Sequence, residues 1–218
     1  MRRSIPLLAV LLAVPADGSE TSGGPFLTLT CPAKGTLTRS FDLSTGVAPW
    51  VARGPGVPNS AALATAIDPA SIPPGWSARV PGARWVQAMP VQQAAPHALG
   101  DFSFTLEFDL PKGPRRPRLR LEGQIAGDEG FDLNLTEPTP PNSWIGGGPA
   151  MMDDSPGLVT QDEVQPVLLD KSSDNSGRPL GMRSGRYVLQ ITAPNAEAAA
   201  AQVGVLARLK LTMTCGRK

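Results

Sequence analysis

Hydrophobic and polar residues alternate strictly along several short stretches of this chain. In the clearest stretch the apolar positions are Phe102, Phe104, Leu106, Phe108 and Leu110, each separated from the next by one polar residue. Because successive side chains of a strand point to opposite faces of a sheet, this unbroken alternation predicts a strand with one buried face. The same pattern predicts further strands at 27–31, 118–122, 131–135, 187–192 and 205–215.

Turn-forming residues divide the chain between these stretches. Its 23 glycines and 24 prolines interrupt it too often for long helices. Only the alanine-rich stretch from Asn195 to Gln202 favours a helix, and it is short. We therefore predict an all-β fold, an antiparallel β-sandwich with at most one short helix. Residues 138–156 and 171–185 fit no strand pattern and are predicted to be long loops.

The first sixteen residues have the pattern of a secretory signal peptide. Arg2 and Arg3 precede an apolar run over 5–14, and Val14-Pro15-Ala16 brings small residues before a polar segment. The alternative is a membrane anchor, which needs roughly 20 apolar residues, about twice the length of this run. We therefore expect cleavage near Ala16, a flexible tail over 17–25 and a single domain over 26–218. The expected location is secreted or periplasmic, without a membrane span.

The charge balance changes little when this leader is removed. The whole chain has a formal net charge of +1, and the loss of Arg2 and Arg3 would leave −1. A nearly neutral chain gives no electrostatic reason to expect nucleic acid or an anionic membrane as a partner.

The two cysteines, Cys31 and Cys215, lie on the apolar faces of the first and last predicted strands. In an oxidising compartment an even pair predicts a disulfide, whereas the alternatives are two buried thiols or a bond between chains. Each cysteine lies at the end of its strand, so direct antiparallel pairing of the two strands would separate them. The bond must therefore cross between sheets, or the first strand must bend at Pro32.

Several short motifs resemble one known class of domain. They are Phe41-Asp42-Leu43-Ser44-Thr45-Gly46, Trp50-Val51, Gly54-Pro55-Gly56, Trp85-Val86, Phe108-Asp109-Leu110 and Ala126-Gly127-Asp128-Glu129. Together they resemble the galactose-binding-like β-jelly-roll domains of exported bacterial proteins, over residues 41–135 and the closing strands. The resemblance implies a jelly roll with a carbohydrate-associated role. Leu135 follows Asn134 where that family often has glycine, so no ligand residue is carried over from the family.

Residues typical of catalysis are sparse. His97 is the only histidine, it lies between Pro96 and Ala98, and no nucleophile motif is nearby. A carboxylate pair for glycoside hydrolysis remains open, because carboxylates are plentiful and their spatial separation is not visible in a sequence. The candidates are Glu107, Asp109, Asp128, Glu129 and Asp132, although Glu107 and Asp109 also fit the polar face of a strand.

Carboxylates around one predicted turn suggest calcium as the only cofactor. Asp128, Glu129 and Asp132 lie within five residues, and calcium prefers oxygen ligands of this type. Ordinary solvated turn residues are the alternative.

Four tryptophans divide into two groups. Trp50 and Trp85 lie in strand-like runs and are predicted to be in the core. Trp76 and Trp144 lie in predicted loops, where each is a packing residue or a platform for a sugar ring. For ligand binding we predict Trp144 with its chain neighbours Asn142 and Asp153, and then Trp76.

These features favour a secreted, non-catalytic binding module with a glycan as its ligand. The alternative is a structural or assembly component of the cell envelope that contacts another envelope protein. A glycoside hydrolase-like enzyme is the third candidate.

Overall fold

The computed structural model describes residues 26–57, 62–73, 75–76, 78–88, 99–127, 131–136, 144–146, 164–170, 182–195 and 203–216. The predicted signal peptide and tail, His97 and the alanine-rich residues 196–202 lie outside these ranges. Asn195, the first residue of the predicted helical stretch, is the last residue of a strand.

The described residues form thirteen strands and one 3₁₀ turn at Pro69–Ser71. The strands are β1 (Leu27–Thr28), β2 (Leu37–Asp42), β3 (Val51–Arg53), β4 (Ala62–Leu63), β5 (Thr65–Ala66), β6 (Val86–Gln87), β7 (Gly100–Leu110), β8 (Arg118–Gly127), β9 (Asp132–Thr136), β10 (Trp144–Gly146), β11 (Gln165–Asp170), β12 (Gly185–Asn195) and β13 (Gly204–Cys215).

These strands form two sheets that pack face to face. Sheet A has seven strands in the order β10-β9-β12-β7-β3-β4, and β1 pairs with β7 beside β3. Sheet B has six strands in the order β11-β8-β13-β6-β5, and β2 pairs with β13 beside β6. The pairing of β1 with β7 is parallel, and the other strand pairs are antiparallel.

Eight of the strands have the order of a jelly roll. In chain order they are β2, β7, β8, β9, β10, β11, β12 and β13. In sheet B the neighbours are β2, β13, β8 and β11, which are strands 1, 8, 3 and 6 of the eight. In sheet A they are β7, β12, β9 and β10, which are strands 2, 7, 4 and 5. This is the strand order of a jelly roll. The predicted all-β sandwich of jelly-roll type is therefore confirmed, with β3 to β6 inserted between its first two strands.

The alternating stretches supply the core between the sheets. Phe102, Phe104, Leu106, Phe108 and Leu110 of β7 are all buried, as the alternation predicts. The apolar positions of β12 and β13 are buried with them. Burial of these large side chains is the main favourable contribution to the stability of the sandwich.

Two strand predictions need correction. The first strand ends at Thr28, and Cys31 lies beyond it. Trp144–Gly146 forms strand β10 inside the predicted loop 138–156, so the loop assignment is wrong for these three residues. Strand β10 lies at the edge of sheet A and pairs with β9 through main-chain groups. Main-chain pairing requires no hydrophobic alternation, which is why the sequence pattern gave no sign of it.

The Cys31–Cys215 disulfide is confirmed, with 5.6 Å between the two Cα atoms. Cys31 follows β1 of sheet A, whereas Cys215 is the last residue of β13 in sheet B. The bond therefore links the segment between β1 of sheet A and β2 of sheet B to the end of β13, and Cys31 itself belongs to neither sheet.

Strand β13 pairs with β6 at residues 204–205 and with β2 at residues 210–215. Between these two stretches, Thr45 forms hydrogen bonds with the main chain of Ala207 on β13. Its amide donates to the carbonyl oxygen of Ala207 at 2.8 Å. Its hydroxyl accepts from the Ala207 amide at 3.0 Å and donates to the Arg84 carbonyl oxygen at 2.5 Å. The Thr45 side chain is fully buried, and so is its hydrogen bond with the Ala207 amide, so that amide has no access to a replacement bond with water.

We expect Thr45→Val to lower the free energy of unfolding by roughly 1–3 kcal/mol, because it leaves the buried Ala207 amide without its hydroxyl partner and also removes the bond to the Arg84 carbonyl. Urea unfolding followed by tryptophan fluorescence measures the loss. Thr38→Val is the matched control, since Thr38 is exposed on β2. Equal stability of the two variants would contradict this role for Thr45.

Candidate functional site

The outer face of sheet B is divided into a covered part and an open part. The insertion β3 to β6 places a small hydrophobic cluster over the covered part. Its buried members are Ile67, Trp76, Ala78, Val80 and Trp85, which pack against Ala126 of β8 and Leu206 of β13. The open part lies over β2, β13 and β8, beyond this cluster.

A groove of about 520 Å³ lies over the open part. Its polar lining residues are Ser40, Asp42, Ser44, Glu122, Gln124, Arg208 and Lys210, and Phe41, Gly123 and Leu209 complete it. We call this surface the sheet B groove. The sequence pattern that buries the apolar residues of β13 also turns Arg208 and Lys210 to solvent, so one alternation builds both the core and the groove.

The register of β2, β13 and β8 places charged and polar side chains of the groove beside one another across the strands. Lys210 lies between Asp42 of β2 and Glu122 of β8, and Arg208 lies opposite Gln124. The Lys210 ammonium is 2.7 Å from a Glu122 carboxylate oxygen, and the Arg120 guanidinium is 3.1 Å from the other. Positive and negative groups thus alternate across three strands.

The surroundings of both carboxylates in the groove favour the ionised form. The hydrogen bond and charge of Lys210, with a smaller contribution from Arg120, lower the pKa of Glu122. Hydrogen bonds from the side chain and main chain of Ser44 lower the pKa of Asp42, and Arg208 adds to the effect. The Ser44 amide lies 2.9 Å from the Asp42 carboxylate. Ionised carboxylates accept hydrogen bonds but have no proton to donate.

Gly123 keeps two strands close together at the floor of the groove. A Cβ atom at this position would overlap the carbonyl oxygen of Arg208 on β13. A strand glycine is the residue that allows such a close approach of a neighbouring backbone. The floor is therefore formed by tightly paired main chain in the centre of sheet B.

The structure describes two of the four residues predicted to bind a ligand, Trp76 and the main chain of Trp144. Trp76 is only 3 % exposed and packs on Trp85, with 4.6 Å between the ring centroids. This is the packing alternative, and it leaves no ring face of Trp76 open to a sugar. The main chain of Trp144 lies in edge strand β10 of the other sheet. Asn142 and Asp153 lie outside the described residues.

The structure describes only one of the three residues predicted to bind calcium. Asp132 is exposed at the start of β9, whereas Asp128 and Glu129 lie outside the described residues. Within the described ranges, no three residues of the His, Cys, Asp and Glu types gather into a metal-binding group. Calcium binding at this turn stays a prediction.

The other carboxylates proposed for hydrolysis belong to an ion-pair cluster on sheet A. The Arg186 guanidinium lies 3.3 Å from Asp109 and 3.4 Å from Glu107. The cluster is partly exposed on the outer face of β7 and β12, which is the polar strand face considered above.

Sequence reasoning did not bring the groove residues together. Asp42, Glu122 and Arg208 are separated by about eighty residues in each step along the chain, and only the sheet order makes them neighbours. The alternation of β13 was the available signal, because it marks Arg208 and Lys210 as outward-facing.

A scan of protein-family models, a search of curated proteins and a search of solved structures each give no match for this chain. The resemblance to galactose-binding-like domains therefore stays a prediction. Among the described residues there is no helix long and apolar enough to span a membrane.

Proposed function

We propose that this protein is an exported, non-catalytic binding module that binds a glycan in the sheet B groove. The observation that carries the proposal is the groove itself, an open polar surface of about 520 Å³ on three paired strands. Strands β2, β13 and β8 fix the positions of its side chains, so little ordering is needed when a ligand binds.

The groove offers the hydrogen-bonding groups that a hydroxyl-rich ligand needs. Carboxylates of Asp42 and Glu122 can accept from sugar hydroxyls, and Gln124 can both donate and accept. Arg208 and Lys210 can donate to ring and hydroxyl oxygens. Phe41 is the only aromatic residue of the lining. Recognition would therefore depend on hydrogen bonds more than on ring stacking.

The charge state of the groove favours binding over hydrolysis. A glycoside hydrolase of the usual type needs one carboxyl group that stays protonated and donates its proton to the leaving group. The surroundings of Asp42 and Glu122 lower both pKa values. Neither residue is therefore suited to act as a general acid.

Export is the second part of the proposal. The signal-peptide pattern of residues 1–16 supports it, and the Cys31–Cys215 disulfide favours an oxidising compartment. These two features together support a secreted or periplasmic location.

The proposal is tested with a glycan array followed by titration of the best neutral oligosaccharide. We expect Gln124→Ala to weaken binding roughly two- to tenfold, the effect of losing one or two hydrogen bonds. Gln190→Ala is the matched control, because it removes the same amide from β12 of the opposite sheet. Isothermal titration calorimetry gives the dissociation constants, and thermal melting confirms that both variants remain folded.

Two results would contradict the proposal. One is the absence of binding to any neutral glycan on the array. The other is binding that responds equally to Gln124→Ala and Gln190→Ala, since the ligand would then not lie in the groove.

A further inference from the structure

A second cleft lies at the end of the sandwich where β7 leads into β8. It has a volume of about 450 Å³ and is formed by residues 110–117 and 182–184. Its charged lining residues are Lys112, Arg115, Arg116 and Arg183. No carboxylate is among the described residues that line it, although the whole chain has nearly equal numbers of acidic and basic residues. We call it the basic cleft.

The two segments of the basic cleft are held together by main-chain contacts. The Met182 amide donates to the Pro117 carbonyl oxygen at 2.8 Å. The Tyr187 hydroxyl donates to the Arg183 carbonyl oxygen at 3.0 Å, and the Tyr187 ring stacks on Phe108 in the core. Met182 and Pro117 are buried. The backbone that presents the cations is therefore anchored to the sandwich.

The cations of the cleft differ from three cations on the sheet faces. Arg120, Arg186 and Lys210 each form an ion pair with a carboxylate. Within the described ranges, none of the four cations of the basic cleft forms one. The guanidinium of Arg115 donates to the carbonyl oxygen of Gly35, which orients it without neutralising it. Four positive charges around one cleft, with one of them oriented, favour the approach of an anion.

We infer that the basic cleft binds the acidic groups of a polysaccharide, carboxylate or sulfate. A single guanidinium group can form two parallel hydrogen bonds with an oxyanion of this kind. The cleft has room for a small number of sugar units at most, so one end or one short stretch of the polymer would enter it. This ligand class is independent of the neutral glycan proposed for the sheet B groove.

Other polyanions fit the cleft less well. Single-stranded nucleic acid is bound with aromatic side chains on which bases stack, and the lining contains none. An anionic membrane surface is bound by cations together with exposed apolar side chains. The large exposed apolar side chains of the described residues are Phe26, Val47, Leu63, Leu99 and Leu168, and none of them lines the cleft.

The test compares binding of oligogalacturonate, sulfated dextran and neutral dextran to the purified protein at low and high salt. We expect the two acidic polymers to bind and neutral dextran to remain unbound in the cleft. The double variant Arg116→Gln/Arg183→Gln should weaken acidic binding by about tenfold, the loss of two charge-assisted contacts. Arg39→Gln/Arg53→Gln is the control, since it removes two exposed arginines outside the cleft.

Comparison of the two acidic polymers shows whether carboxylate or sulfate is preferred. The inference is overturned if both double variants bind the acidic polymers like the unmodified protein. It is also overturned if an RNA oligonucleotide or vesicles of phosphatidylglycerol bind more tightly through Arg116 and Arg183. The neutral ligand of the sheet B groove should bind Arg116→Gln/Arg183→Gln as tightly as it binds the unmodified protein. Titration of that ligand therefore tests the groove and the basic cleft separately.

Discussion

Replacement of Cys31 and Cys215 by alanine is expected to lower the free energy of unfolding by roughly 4–5 kcal/mol. The bond spans a sequence separation of 184 residues. In the chain-entropy model, a cross-link over so long a loop removes a large share of the freedom of the unfolded chain. For a domain of this size the loss corresponds to a fall in melting temperature of roughly 10–20 °C. Differential scanning calorimetry of the two proteins measures it.

The reductant dithiothreitol provides the control for this prediction. It should lower the melting temperature of the unmodified protein towards that of the double variant and leave the double variant unchanged. Intact mass after alkylation under denaturing, non-reducing conditions should show no modified cysteine in the unmodified protein. A double variant that melts within about 2 °C of the parent would mean that the bond contributes little to stability.

Trp85→Ala is expected to destabilise the protein by roughly 3–5 kcal/mol, the usual cost of truncating a large buried aromatic side chain. Trp85 is 2 % exposed, its indole N–H donates to the Ala78 carbonyl oxygen at 3.3 Å, and its ring packs on Trp76. The truncation therefore opens a cavity in the cluster that covers part of sheet B. Chemical denaturation followed by far-ultraviolet circular dichroism measures the loss.

Leu63→Ala is the control for Trp85→Ala, because Leu63 is 58 % exposed and should cost little. A double-mutant cycle with Trp76→Ala isolates the contact between the two rings, which we expect to contribute about 0.5–1.5 kcal/mol beyond the burial of each. If Trp85→Ala were as stable as Leu63→Ala, the cluster on sheet B would not be part of the cooperative fold.

The strands with one fully buried face could be predicted from sequence. In β7, β12 and β13 every second residue is apolar, because one face lies in the core and the other meets solvent. Strand β10 could not be predicted, since a short edge strand is held by main-chain pairing with a partner from another part of the chain. The disulfide could be predicted, but the position of Cys31 between β1 of sheet A and β2 of sheet B depended on the sheet to which each strand belongs.

The candidate site was less accessible to prediction than the fold. The residues Pro74-Gly75-Trp76 have the local pattern of a turn. This pattern does not indicate that the indole ring of Trp76 packs on the outer face of sheet B. Gly204, more than a hundred residues away, leaves the space that the Trp76 ring fills, because a Cβ atom there would overlap it.

The basic cleft could be predicted in part from sequence, since Lys112, Arg115, Arg116 and Arg118 occur within seven residues that include no acidic residue. The contribution of Arg183 depends on tertiary structure alone.

The position of β13 in sheet B determines when the protein can fold. This strand pairs with β2, β6 and β8, and all three precede it in the chain. During synthesis, sheet B therefore stays incomplete until residues 204–215 have left the ribosome. Sheets built from such distant pairings also fold slowly, in about milliseconds to seconds. A nascent chain of this protein therefore lacks the central strand of sheet B until the last strand of the chain is available.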